Sequence, residues 1–156
     1  MNELDVWLEK ISAWYQARKH DQVETLRLLI LSPPNAVWGP KINDQQSKAI
    51  ACWLDGCLRI YQFHLHRQEP EQAYQYLMFA YGKLQAISCE SQSQPELVDW
   101  SLKRIQHLCV LALEFSNQQE HSHWQAQAQE LIEAHVHFMA SLAPKHDQGM
   151  EGKRIQ

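Results

Sequence analysis

Apolar residues recur every three or four positions along most of the chain, the period of an amphipathic helix rather than of a strand. Leu4, Trp7, Leu8, Ile11, Trp14 and Tyr15 share one face over residues 3–19, and a short helix over about 21–31 follows. The stretch "SPPNAVWGPKIND", 32–44, breaks the pattern with three prolines and a glycine and reads as a connector. Beyond it, residues 44–68 place Ile50, Trp53, Leu54, Cys57, Ile60, Tyr61 and Leu65 on one face. Pro70 then opens a helix to about 88 whose seam, Ala73, Leu77, Ala80, Leu84 and Ile87, keeps a 4,3,4,3 spacing. After the linker "SCESQSQP", residues 95–118 carry the seam Val98, Leu102, Ile105, Cys109 and Ala112, and 120–142 carry Trp124, Ala128, Leu131, His135, Phe138 and Leu142.

This layout predicts an all-α fold: an antiparallel helical bundle of about four long helices behind an N-terminal helical hairpin. The expected division is one helical domain over 1–143, with the hairpin at 1–31, the connector at 32–43 and the bundle at 44–143, then a flexible tail over 144–156. Tetratricopeptide-like hairpin repeats are the alternative architecture, because "LALEF" and "WQAQAQELIEAH" share the small-and-aromatic character of such repeats. The bundle is favoured, since several helices run past the dozen or so residues of that repeat and no period near 34 recurs.

Composition narrows the function classes. The 156 residues are 45% hydrophobic and 21% charged, a globular balance and not a disordered one. Net charge is −4 with no strongly basic segment, so neither nucleic acid nor an anionic membrane is an expected partner. The N-terminus "MNELDVWLEK" has acids where a signal peptide has cations, and no apolar run reaches membrane-span length. Cys52, Cys57, Cys89 and Cys109 form no Cys-x-x-Cys, as reduced thiols of a cytoplasmic protein would be. The chain has no Gly-rich phosphate loop, nucleophile elbow, His-Glu-x-x-His or haem-attachment motif, so neither catalysis nor a cofactor is expected.

The histidines test that expectation. Three His-x-His pairs, "HLH" at 64–66, "HSH" at 121–123 and "HVH" at 135–137, look like chelators. Residues two apart on a helix diverge by about 200°, however, so each pair splits between faces if it is helical. His64 and His135 fall on apolar seams and His121 extends one; these three are the candidate metal ligands. His121 and His135 are fourteen residues apart, roughly 21 Å along a helix, too far to share an ion. The sequence therefore predicts imidazoles satisfied by hydrogen bonds, with a metal- or cofactor-binding bundle as the alternative function.

A second apolar stripe points elsewhere. On the 70–88 helix Tyr74, Met78 and Tyr81 lie beside the seam, and on the next helix Leu108, Leu111 and Phe115 do the same. A helix apolar nearly all round is either covered on both sides or offers a groove to another helix. These six residues are the expected partner-binding set, with a helical segment of another protein or a second copy in a homodimer as the partner. From about Ile50 to Met139 the layout, with "LDGCL" at 54–58, a helix opening "PELVDW" and a last helix "WQAQAQELIEAH", resembles the flagellin export chaperone family. That resemblance implies a cytoplasmic bundle that holds a secretion substrate or assists such a chaperone. The expected function is thus non-enzymatic protein–protein interaction of chaperone, co-chaperone or adaptor type, with a regulator of a transcription or sigma factor as a further alternative.

Overall fold

Every regular element of the computed structural model, which describes residues 2–17, 22–39 and 42–142 and the backbone of the last helix on to Ile155, is helical. The elements are α1 (Glu3–Gln16), α2 (Val23–Leu31), a 3-10 turn (Asn35–Trp38), α3 (Asp44–His66), α4 (Pro70–Cys89), α5 (Pro95–Asn117) and α6 (His123–Ile155). The expected helix ends at 18–19 and 21 lie outside the described residues. No helix among the described residues is long and apolar enough to cross a membrane.

The chain falls into two compact units, Met1–Leu108 and Cys109–Gln156, divided within α5. Within the first unit α5 faces α3 around Trp100 and Arg104, and within the second it pairs with α6 through Phe115 and Trp124. The backbone of α6 continues to Ile155.

Local chemistry starts the helices. Asn2 caps α1 in a reciprocal box with Asp5, and Asn43 caps α3 in the same way with Gln46. Pro70 occupies the first turn of α4, where its missing N–H costs nothing. Helix α2 has no side-chain cap at its start and no glycine after its end. The carbonyls of its last turn lack intrahelical donors, and tryptophans supply them: Trp7 Nε1–H donates to Leu29 O at 2.9 Å and Trp53 Nε1–H to Ile30 O at 3.0 Å. Trp14 Nε1–H donates at 2.8 Å to Gln22 O at the other end.

Around these indoles the first unit packs α2 between α1 and α3, and α4 along α3. Gly56 marks the closest approach of α2 and α3: a methyl group there would overlap Ile30 Cδ1 and come 3.0 Å from Ile30 Cγ1. The connector is no passive tether. Val37 is buried, and Trp38 sets its ring edge-on to Trp53 with centroids 4.8 Å apart. From Trp53 the aromatic contacts run on to Phe79 at 5.7 Å, Tyr76 at 6.3 Å and His64 at 6.0 Å.

The α4 seam is buried as expected, from Ala73 to Ile87. On α5 the expected seam is buried at Ile105, Cys109 and Ala112, whereas Val98 and Leu102 are half-buried. Leu97, Ser101, Leu108 and Phe115 are buried as well, so the inward face is broader than the seam and extends to the Leu97 side; the polar Ser101 hid that extension in the sequence. In the second unit Trp124, Ala128, Leu131 and Phe138 are buried along α6.

Two stability measurements check this packing. Gly56→Ala should destabilise by about 1–3 kcal/mol through overpacking, even though alanine is the better helix former. Ile30→Val removes the obstructing methyl, so in a urea double-mutant cycle the pair should cost less than the sum of the single changes; strict additivity would contradict the close approach. Gln68, in the turn after α3, holds φ 58°, a left-handed conformation unfavourable to side chains. Gln68→Gly should therefore raise stability by about 0.5–1 kcal/mol, and a lowered melting temperature would count against that strain.

Candidate functional site

The second face of α3 carries a continuous stripe of polar and aromatic side chains. Asp55, Leu58, Arg59, Gln62, Phe63, His66 and Arg67 follow one another at helical spacing, and together with Trp14, Val23 and Leu26 they line a groove of about 610 Å³. Twelve residues separate the ends of that stripe, three turns or roughly 18 Å of helix. Trp14, Val23 and Leu26 are buried beneath it, Leu58 and Phe63 are half-buried, and the polar residues stand at the edge.

One end of the groove is clamped. Tyr15 donates its hydroxyl to Asp55 Oδ2 at 2.6 Å, Arg59 Nε–H donates to the same oxygen at 2.8 Å, and the guanidinium lies 4.8 Å over the Tyr15 ring. Burial, aided by this hydrogen bond to a carboxylate, pushes the Tyr15 hydroxyl well above its ordinary range. At the other end Arg67 lies over the Phe63 ring at 5.3 Å and pairs with Glu69 at 3.3 Å.

Behind this end lies a buried polar relay created by the turn after α3. Glu69 N–H bonds His64 O at 2.9 Å and Gln68 N–H bonds Leu65 O at 3.1 Å, the paired closure of a Schellman motif. The closure brings Glu69 over His64, and His64 Nδ1 sits 3.0 Å from Glu69 Oε1. The other ring nitrogen, Nε2, faces Arg27 Nη2 at 3.3 Å. An arginine only donates, so Nε2 accepts, the ring proton resides on Nδ1, and it is donated to Glu69. Arg27 also donates to Tyr76 Oη at 2.7 Å and pairs with Glu24 at 3.2 Å. The carboxylate–imidazole pair has the form of a catalytic base and its orienter, but its second nitrogen meets a guanidinium and not a nucleophile. Both nitrogens of His64 are thereby engaged, next to a permanent cation that opposes a metal ion.

The other two candidate ligands belong to the second unit. His135 is half-buried on α6, where burial lowers its basicity. His121 is exposed and precedes α6, which begins at His123 and not at 120. The divergence expected of a helical "HSH" therefore does not apply, and the His121 and His123 rings are 6.0 Å apart. Among the described residues no group of three or more His, Cys, Asp and Glu side chains gathers as a ligand set. Burial pushes the Cys57 thiol well up, and Cys52 and Cys109 in the same direction, away from nucleophilic thiolate.

The six expected partner residues divide. Tyr81 is 6% exposed and Leu108 and Phe115 are each 1% exposed, so these three belong to the packed interior; Tyr74, Met78 and Leu111 are half-buried. Leu108 and Phe115 lie on the broader inward face of α5. Sequence reasoning passed over the α3 groove, though a signal was present: "RIYQFHLHR", 59–67, holds two arginines, two histidines and no acid in a chain of net charge −4. A second apolar surface lies on the hairpin, where Leu28 is 70% and Leu31 52% exposed beside a groove lined by Val6, Trp7 and Pro34.

The Tyr15 clamp has a pH signature. Folded Tyr15 stays neutral where the unfolded side chain ionises near its ordinary value of about 10, so the stability it adds is complete below pH about 10 and declines above it. Urea midpoints of the wild type and Tyr15→Phe should differ by a constant amount up to about pH 10 and converge at higher pH; a gap that widens there would mean that Asp55 does not hold the hydroxyl. Scans of the chain against family models, curated proteins and solved structures found no match in any of the three.

Proposed function

We propose that this protein is a non-enzymatic interaction protein, of chaperone, co-chaperone or adaptor type, that receives an amphipathic helix of another protein in the α3 groove. The observation that carries this reading is the three-turn stripe from Asp55 to Arg67, an apolar floor with a polar edge running the length of a short helix. Leu58 and Phe63 are half-buried on that floor, where an incoming helix would complete their burial. A bundle that holds a secretion substrate or assists such a chaperone is what the resemblance to flagellin export chaperones implies. Free cysteines at Cys52, Cys57, Cys89 and Cys109 accord with a cytoplasmic protein. The engaged nitrogens of His64 weigh against the metal-binding alternative. A regulator of a transcription or sigma factor would use the same groove and differs only in the identity of the helix.

The test is calorimetric titration with an uncharged amphipathic peptide of about four turns, leucine on one face and glutamine on the other. Leu58→Ala with Phe63→Ala should keep the helical circular dichroism and weaken binding at least about tenfold, as removal of central anchors does. Tyr74→Ala with Met78→Ala serves as the comparison and should bind like the wild type. Loss of binding only in the Tyr74 and Met78 variant would move the site to α4, and absence of binding by the wild type would overturn the helix-receiving reading.

A further inference from the structure

We infer that the α3 groove selects helices that carry carboxylates along one edge, which makes the partner an acidic amphipathic segment. This rests on the helix-receiving reading of the groove and adds the charge of the ligand to it.

The chain as a whole is acidic, at −4, yet the groove edge is not. Arg59, His66 and Arg67 line it, and Asp55 is the one acidic residue among its lining side chains. Asp55 Oδ2 already accepts from both Tyr15 and Arg59, so its charge is turned into the clamp. Both arginines use Nε for their internal pairs, with Asp55 and Glu69 respectively. A guanidinium has five N–H donors in a planar fork, so the terminal nitrogens remain suited to a two-point bond with an incoming carboxylate. The internal pairs are at the surface, with the two arginine side chains 42% and 63% exposed. Exposed pairs of this kind contribute little, so sharing or exchanging the arginines with a partner carboxylate sacrifices little.

Spacing sharpens the match. Arg59 stands seven and eight residues before His66 and Arg67, two helical turns or roughly 11–12 Å. A helix lying along α3 presents side chains at i and i+7 over the same distance, so carboxylates at that interval meet both basic positions. The cations rest on rings, Arg59 on Tyr15 and Arg67 on Phe63, which holds the guanidinium planes at the edge of the apolar floor.

The experiment uses the full chain and three peptides of about four turns with the same leucine face, their edge positions at i and i+7 filled by Glu, Gln or Lys. The Glu peptide should bind about tenfold more tightly than the Gln peptide, the Lys peptide more weakly still, and the difference should shrink at high salt. Arg59→Glu with Arg67→Glu should reverse the order in favour of Lys, with helical circular dichroism retained. Equal binding of the three peptides would overturn the charge selection but leave the helix-receiving reading standing; absence of binding by all three would overturn both. Two further arms settle the occupant. A thymidine oligonucleotide of about fifteen residues that binds more tightly than the Glu peptide would make the basic edge a nucleic-acid site. Sedimentation showing a wild-type dimer that the Arg59→Glu, Arg67→Glu variant dissociates would make the occupant a second copy. Either result would overturn the proposal.

Discussion

The hydrogen bonds from tryptophan indoles to the carbonyls of α2 are the constraint on which the first unit depends. A nine-residue helix without a capping side chain is marginal by itself, because nucleation and frayed ends outweigh the few internal bonds. Trp7 and Trp53 reach its final turn from opposite sides and satisfy Leu29 and Ile30, while Trp14 holds Gln22 at its start. Each indole also brings a large apolar surface, so one side chain satisfies a buried polar group and fills space at once. The orientation of α2 on α3 follows from this. So does the need for glycine at position 56, where Ile30 would otherwise collide.

With α2 fixed, Arg27 is delivered, partly buried, to the C-terminal part of α3 and the N-terminal part of α4. There it meets His64 and Tyr76, and the turn geometry after α3 brings Glu69 to the other side of the same imidazole. The relay is satisfied throughout, which is what allows polar groups to sit inside without a large desolvation cost. It locks α2, α3 and α4 into one register. It also separates two roles of α3: the face toward α4 is structural, and the face along Asp55 to Arg67 is available as a groove.

The same separation gives the two members of a histidine pair different surroundings. His64 and His66 are two apart in sequence and have different roles. His64 is buried in the relay, while His66 is exposed on the groove edge and bonded through Nδ1 to Gln62 O. The basic edge of the groove is a product of helical periodicity acting on "RIYQFHLHR", which gathers Arg59, His66 and Arg67 on one side and sends Ile60 and His64 to the other.

Much of this fold was legible in the chain itself. Period-3.6 spacing and Pro70 determined the all-helical class and most helix boundaries, because these are local effects that act within a turn or two. The seam of α4 was equally clear, since its apolar residues follow a 4,3,4,3 spacing without a polar interruption. The full inward face of α5 was only partly legible, because burial of Ser101 depends on what lies opposite and not on its own polarity. Nor could sequence reveal that two indoles would satisfy the last carbonyls of α2, that Gln68 would turn left-handed to bring Glu69 to His64, or that Trp14 and Val23 would form the floor under an α3 stripe. Those are pairings between residues far apart along the chain, and only the tertiary structure, by fixing which helix faces which, decides them.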